Sequence, residues 1–241
     1  MDASENFTIS GTLYIVATPI GDPRDITLRA LDILKCCDAI ICEEHRQGSR
    51  ILARFGIRDK EILTLNEHNE KTRSDDIVVR LAQGQSLALI SDCGTPVFAD
   101  PGHFLIQKVI EFGLQVKPIP GPSSLMAALS ILDLKLDQFV FGGFLSREND
   151  HRKMELIHLQ SLRLPVVLMD TPYRLSKLID EVKQVYGRKQ LITLACDLTL
   201  PNEKIYRGPV DVVQTEVAQR KAEFILIVHA SGKKLPKPIM P

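Results

Sequence analysis

The chain has 241 residues, of which 44 % are hydrophobic and 25 % charged, a composition typical of one or two globular domains and unlike that of disordered or fibrous proteins. No apolar run reaches about eighteen residues, and the acidic, polar N-terminus is unlike a signal peptide, so we expect a cytoplasmic protein with no membrane association. Thirty basic and thirty acidic side chains cancel, which argues against tight, sequence-blind binding to naked nucleic acid.

The two halves of the chain differ in charge. Residues 1–120 carry 13 basic and 17 acidic side chains, net −4, whereas residues 121–241 carry 17 and 13, net +4. A polyanionic partner is therefore expected to contact the second half, although a difference of this size also fits variation in composition without function.

The five cysteines are odd in number and show neither a Cys-x-x-Cys pair nor a histidine at zinc-ligand spacing. We therefore expect reduced thiols, no disulfide and no metal site.

In the first half, β-rich apolar segments alternate with helical patterns. Strands are predicted at 13–17, 39–42, 62–65, 87–90 and 115–119. Helices are predicted over 25–34, 47–55, 73–83 and 103–112, the first of them capped by Asp25. A strand-loop-helix unit repeated in this way predicts a parallel sheet with helices on its faces.

The second half is richer in strands. Strands are predicted at 138–144, 165–169, 191–196, 204–208 and 223–228, and helices at 150–161 and 174–185. The hairpin-like spacing predicts a mixed α+β domain. Because the stretch 118–122 is dense in Pro and Gly, we predict an N-terminal α/β domain over 1–121 and a C-terminal α+β domain over 122–241.

Each strand of the first half is followed by a polar loop, and ligands of open α/β sheets bind beyond the carboxyl ends of the strands. Three of these loops, 18–21, 91–96 and 120–124, are rich in small residues. Glycine lets a backbone approach a ligand closely, and Asp92 and Asp100 can accept from a ribose hydroxyl or an amine. These loops predict a small polar ligand, unless their glycines and prolines only form turns. The sequence lacks a P-loop, a Gly-x-Gly-x-x-Gly after the first strand and a Gly-x-Ser-x-Gly elbow.

The motifs, taken together and in order, resemble the tetrapyrrole methylase family, and within it the branch that methylates small-subunit ribosomal RNA. The resemblance spans about residues 11–230 and rests on eight segments in register, namely 13–31, 42–46, 68–70, 91–96, 100–102, 118–123, 139–145 and 171–174. It implies two domains with a cofactor cleft between them, S-adenosylmethionine as cofactor, a homodimer, and 2′-O-methylation of a cytidine ribose of 16S rRNA on the assembled small subunit.

The resemblance also implies which residues bind the cofactor. In the first domain these are Pro19, Cys93, Gly94, Thr95, Val97, Phe98, Ser123 and Ser124, and in the second Met169 and Ala195.

Methyl transfer to a ribose hydroxyl needs positioning and is helped by a base, because the hydroxyl has a high pKa. Glu43, at a predicted strand end, is the candidate base. Arg46 is a candidate phosphate ligand, and His68 is a second candidate base unless it is structural.

Several positions depart from the family pattern, among them His45, Tyr173 and Leu200, the last where the family usually has lysine. These departures spare the cofactor loops and fall on the side expected to meet the substrate. Two alternatives to an rRNA methyltransferase therefore stay open. One is a small-molecule methyltransferase acting on a tetrapyrrole or precorrin-like macrocycle, and the other is a cofactor-binding homologue without rRNA activity.

Overall fold

The computed structural model describes residues 11–98, 100–218 and 220–230. The chain divides into two compact units between Met126 and Ala127. The domain boundary at 121/122 lies shortly before this division and stays a prediction. No helix among the described residues is long and apolar enough to span a bilayer.

The first unit contains a five-stranded sheet in the order β3-β2-β4-β1-β5, and all of its strand pairs are parallel. Its strands are β1 (Thr12–Val16), β2 (Ala39–Cys42), β3 (Glu61–Thr64), β4 (Leu87–Ile90) and β5 (Gln115–Ile119). The central strands β2 and β4 are buried along their whole length, as their continuous apolar sequences predict for a sheet covered on both faces. The predicted parallel α/β sheet is confirmed.

Helices cover both faces of this sheet. They are α1 (Leu28–Cys36), α2 (His45–Arg54), α3 (Glu70–Ala82) and α4 (His103–Glu111), and a further helix, α5 (Ser124–Ser130), contains the point of division between the two units. Alternate residues of β1 separate the two layers: Tyr14 packs in the cluster that holds residues of α1 and α2, whereas Leu13 packs with residues of α3 and α4.

The ends of β1 and β4 mark the point where the chain changes direction. These strands are neighbours, yet the helix that follows β1 and the helix that follows β4 lie on opposite faces of the sheet. Ligands of doubly wound sheets bind in the crevice that such a divergence opens.

The second unit contains a mixed sheet in the order β6-β7-β10-β8-β9, in which only the β6–β7 pair is parallel. Its strands are β6 (Val140–Phe144), β7 (Val166–Asp170), β8 (Leu191–Cys196), β9 (Lys204–Pro209) and β10 (Phe224–Val228). The predicted mixed α+β architecture is confirmed.

The helices of the second unit are α6 (Asn149–Ser161), α7 (Leu175–Tyr186) and α8 (Val210–Val217). All three pack in one hydrophobic cluster with Leu168, Leu194 and Leu226 of the sheet. Because side chains alternate along a strand, the neighbouring Met169 and Ala195 face away from this helical layer.

The structure corrects the predicted cap of α1 and adds two helices. Asp25 lies in a separate 3-10 turn, Pro23–Asp25, and the cap of α1 is Thr27, whose hydroxyl accepts from the amide of Ala30 at 3.1 Å. The proposed cap at Asp25 was therefore wrong, because Thr27 has the extended backbone that an N-cap needs. The helices α5 and α8 were not predicted.

Candidate active site

Backbone hydrogen bonds join the loops that follow β1, β4 and β5. The amide of Thr18 donates to the carbonyl of Gly94 at 2.9 Å, and the amide of Gly94 donates back to Thr18 at 3.1 Å. The amide of Ala17 donates to the carbonyl of Ile119 at 3.2 Å, which joins the third loop. The three small-residue loops that the sequence singled out therefore form one continuous surface at the carboxyl edge of the sheet.

Side chains of this surface extend the connections. Cys93 Sγ donates to the carbonyl of Ile20 at 3.3 Å, and Thr95 Oγ1 donates to the carbonyl of Pro122 at 3.1 Å. Pro19, between Thr18 and Ile20, is half-buried in the same loop. Of the expected cofactor residues, the structure thus brings together those of the β1 and β4 loops.

Two glycines keep these loops close together. A Cβ on Gly94 would lie 3.1 Å from Ile20 Cγ2, and one on Gly121 would lie 3.1 Å from the Cβ of Ala17. Gly94 also has φ +84°, a conformation that other residues rarely adopt. These positions accept no larger side chain without moving the neighbouring loop, so the surface depends on them.

The remaining expected cofactor residues of the first unit lie at the ends of these loops. Ser123 Oγ accepts from the amide of Met126 at 3.4 Å at the start of α5, where Ser124 is half-buried. Val97 has φ +72°, which is strained for a β-branched residue, and the side chain of Phe98 is 56 % exposed.

Carboxylates gather at the neighbouring strand ends. Glu43 follows β2 and Asp92 follows β4, and these two strands are paired. Partial burial raises the pKa of Glu43, and the negative charges of Asp100 and Asp92 raise it further. The pKa of Asp92 is raised by burial first, and then by Asp100 and Glu44. A carboxylate with a raised pKa is a stronger base, which suits the role predicted for Glu43.

The other two candidate catalytic residues are exposed. Arg46 lies in the first turn of α2, two residues after Glu44. The side chain of His68 is 85 % exposed, and its Nε2 lies 3.5 Å from Glu67 Oε1. Within this turn it is Glu67 whose charge acts on the pKa of Glu43. The catalytic roles of Arg46 and His68 stay predictions.

Sequence reasoning missed the role of Glu70. Its Oε1 accepts from the amides of Gly102 and Phe104, both at 2.9 Å, and so it caps α4 from the start of α3. One signal was present: the residue before α4 is a glycine, which has no side chain to cap the helix and leaves its first amides open to an acceptor from elsewhere in the chain.

In the second unit, Met169 and Ala195 lie in one row across the sheet. Ile225 pairs with Met169 on one side and with Ala195 on the other, so the three side chains point to the same face. Met169 is half-buried and Ala195 fully buried.

The loops after β6 and β7 are held together by arginines. Arg152, 1 % exposed, donates to Glu181 and to the carbonyls of Ser146 and Arg147, and Arg174 Nη2 donates to Ser146 at 3.2 Å. Beside them the ring of Tyr173 is 80 % exposed, with Lys221 Nζ 5.1 Å from its centroid.

No group of His, Cys, Asp and Glu in the described part of the chain is suited to hold a metal ion, and all five cysteines are free.

Residues 12–214 match the family described as Tetrapyrrole (Corrin/Porphyrin) Methylases. The chain belongs to this family. It is a methyltransferase, and its curated relatives include proteins named Ribosomal RNA small subunit methyltransferase I. That of Xylella fastidiosa is 38 % identical over 92 % of this chain and 82 % of the relative. The relative from Vibrio cholerae is 37 % identical over 93 % and 80 %, and that of Escherichia coli O157:H7 is 35 % identical over 91 % and 78 %.

Solved structures agree on the fold. Uroporphyrin-III-C-methyltransferase from Thermus thermophilus aligns with a TM-score of 0.62 at 17 % identity, covering 91 % of this chain and 94 % of that protein. A conserved hypothetical protein from Aeropyrum pernix aligns with a TM-score of 0.71 at 16 % identity, covering 92 % and 85 %. The two-domain fold expected from the sequence resemblance is confirmed.

Proposed function

We propose that the protein transfers a methyl group from S-adenosylmethionine to the 2′-hydroxyl of a cytidine ribose in 16S rRNA of the small ribosomal subunit. The observation that carries this proposal is the identity of 35–38 % to rRNA small-subunit methyltransferases over about nine-tenths of the chain. The joined loops at the carboxyl edge of the first sheet support it, because small polar ligands bind at this place in doubly wound sheets.

The residues of this edge fit S-adenosylmethionine. Gly94 and Gly121 let the three loops pack closely against one another, which brings backbone groups of all three to one surface that a small polar ligand can contact. Asp92, exposed at the end of β4, can accept hydrogen bonds from ribose hydroxyls. The neighbouring carboxylates favour a ligand with positive charge, and the cofactor carries a sulfonium and an ammonium group.

By position, Pro19, Cys93, Gly94, Thr95, Val97, Phe98, Ser123 and Ser124 would hold the cofactor in the first unit, and Met169 and Ala195 would complete the set from the second. Bound S-adenosylmethionine supplies an electrophilic methyl group on a sulfonium sulfur.

The chain's own contribution is to prepare the acceptor hydroxyl. A carboxylate oxygen of Glu43 would take the proton of the ribose 2′-hydroxyl as this oxygen accepts the methyl group that bound S-adenosylmethionine would supply. Its raised pKa makes it a better proton acceptor than an ordinary glutamate. Arg46 binds a phosphate beside the target ribose, and His68 is the second candidate base.

Labelled methyl transfer tests the proposal. The protein is incubated with methyl-labelled S-adenosylmethionine and with purified small subunits, free 16S rRNA or a mixture of tetrapyrroles. We expect label in the small subunits, at a cytidine whose 3′-phosphodiester becomes resistant to alkaline cleavage because its 2′-oxygen is methylated. Less transfer to free rRNA is expected. No transfer to subunits that lack the modification contradicts the proposal.

A small-molecule substrate is the second candidate. The structural neighbour with a TM-score of 0.62 is named a uroporphyrin-III-C-methyltransferase. The fold of this chain therefore also occurs in a protein named for a small-molecule substrate. Label in the tetrapyrrole mixture alone supports this candidate. Cofactor binding in calorimetry without transfer to any acceptor supports a binding protein that has lost its activity, which the leucine at 200 in place of a lysine makes worth testing.

We also propose that the protein acts in the cytoplasm as a homodimer. Sedimentation equilibrium tests the assembly: a mass near twice 27.0 kDa is expected, and a monomer at assay concentration contradicts it.

A further inference from the structure

The carboxylate of Glu70 connects the start of α3 with the segment that leads into α4. Its Oε1 accepts from the amides of Gly102 and Phe104, both at 2.9 Å, across more than thirty residues of sequence. These two amides are among the four at a helix start that have no partner inside the helix. A negative charge at this end also interacts favourably with the helix dipole.

The helix depends on this outside cap because its own N-cap residue is Gly102. Glycine provides no side-chain acceptor, and no other residue fits there. The backbone has φ +137°, and a Cβ would lie 2.8 Å from Leu89 Cδ2 and 2.9 Å from Val97 Cγ2. Gly102 therefore lets the start of α4 pack closely against the sheet, but it has no side chain that could cap the helix.

The contact with Val97 links this cap to the cofactor loop. Val97 packs against the cluster formed by α3, α4 and the sheet, and it holds φ +72°, a strained conformation for a β-branched residue. Such strain persists only where the surroundings enforce it. Val97 packs against the cluster that contains Leu89, its side chain lies next to Gly102, and the amide of Gly102 is held by Glu70.

We propose that Glu70 is a positioning residue for the loop 91–98, which it keeps in shape for the cofactor by fixing Gly102 and, through it, Val97. The inference rests on the proposed function, because it takes this loop as part of the S-adenosylmethionine site. Glu70 itself touches neither cofactor nor substrate in this role.

Three variants separate positioning from simple stabilisation. Glu70→Ala removes the acceptor, whereas Glu70→Gln keeps an oxygen that can accept from both amides. The matched control is Asp75→Ala, because Asp75 pairs with Lys108 and so also ties α3 to α4, but away from the loop. If Glu70→Ala does not yield folded protein, Glu70→Asp, whose carboxylate is one methylene shorter, replaces it.

We expect Glu70→Ala to weaken S-adenosylmethionine binding in calorimetry about five- to tenfold, the size of one lost helix cap. KM for the cofactor should rise by the same factor, while kcat at saturating cofactor stays within about twofold of wild type. Glu70→Gln and Asp75→Ala should both bind within about twofold of wild type. Equal weakening by Glu70→Ala and Asp75→Ala, or none by Glu70→Ala, would overturn the proposal.

Amide hydrogen exchange gives a readout that needs no cofactor. The amide of Gly94, bonded to Thr18, reports on the loop. Exchange over residues 91–98 should accelerate in Glu70→Ala and stay unchanged in the other two variants, and unchanged exchange in Glu70→Ala contradicts the inference. If the wild type binds no S-adenosylmethionine, the proposed function fails, and the exchange data still decide whether Glu70 positions this loop.

Discussion

The surroundings of Glu43 raise its pKa, as the role of a general base requires. It is exposed at the end of β2, yet burial of part of its side chain and the charges of Asp100 and Asp92 raise its pKa. If it removes the proton from the ribose hydroxyl, Glu43→Gln should lower kcat about a hundredfold or more, because general-base catalysis contributes on that order. Cofactor affinity in calorimetry should stay at the wild-type value. Unchanged turnover in single-turnover assays on small subunits would remove Glu43 from this role.

The carboxylates around Glu43 give a prediction for the pH profile. A base works in its ionised form, so activity rises with pH through the pKa of Glu43, and like charges that raise this pKa move the rise to higher pH. Neutralising one of them in Asp100→Asn lowers the pKa, so the acidic limb of kcat should shift to lower pH. Asp32→Asn, an exposed carboxylate on α1, is the matched control and should leave the limb in place. A shift to higher pH, or none, contradicts the arrangement.

The loop after β6 shows how one side chain organises an element. Arg152 Nε donates to Glu181 Oε2 at 2.6 Å, and its Nη1 donates to the carbonyls of Ser146 and Arg147 at 2.9 and 3.0 Å. The carbonyls of Ser146 and Arg147 lie outside the helices and strands, and the buried guanidinium of Arg152 donates to both of them. The exposed Tyr173 therefore stands beside a loop with a fixed backbone, to which Arg174 is also bonded.

Removing this arginine should be costly. Arg152→Met leaves Glu181, whose side chain is 19 % exposed, without its partner, and breaking a mostly buried ion pair costs about 3 kcal/mol. Urea unfolding followed by circular dichroism measures the loss. The double variant Arg152→Met/Glu181→Met should recover only the part that comes from the unpaired carboxylate, because the carbonyls of Ser146 and Arg147 lose their donor in both variants. A single variant as stable as wild type would show that the pair does not stabilise the loop.

Two elements, β4 and α8, show why some helices and strands can be predicted from the sequence and others cannot. The strand β4 is found at the predicted residues, because a buried parallel strand is a short apolar run between polar loops. The helix α8 was missed because Val210, Val212 and Val213 are β-branched and follow a proline, a composition typical of strands. Three of its residues pack into the core of the second unit, and this tertiary burial outweighs the local preference.

Part of the candidate site could be predicted from the sequence and part could not. The loops that the sequence singled out meet at one edge of the sheet, because parallel strands all end there. The repeated strand-loop-helix pattern was enough to predict this. The role of Glu70 could not be read in the same way. Its partners, Gly102 and Phe104, are far away in sequence, and only the packing of α3 against α4 brings them together.

At the scale of the whole molecule, the positive charge of the second half is concentrated near the end of the chain. The second half of the chain has a net charge of +4, but residues 121–230 carry 14 basic and 13 acidic side chains, so most of the excess comes from Lys233, Lys234 and Lys237. These three lysines lie outside the described residues. The mixed sheet and its helices are thus nearly neutral, which is consistent with the proposed action on an assembled small subunit and does not favour electrostatic attraction to bare RNA.

The three lysines give the last prediction. If they meet RNA phosphates on the small subunit, each releases counterions, and the slope of log K against log salt changes by about 0.7–0.9 for each. Replacing all three by glutamine should therefore reduce the slope for binding to small subunits by about 2, while cofactor affinity and the fold are retained. The matched control replaces three exposed lysines of the first unit, Lys35, Lys71 and Lys117, and should leave the slope near the wild-type value. An unchanged slope in the first variant, or an equal reduction in both, would show that this charge does not direct the protein to its substrate.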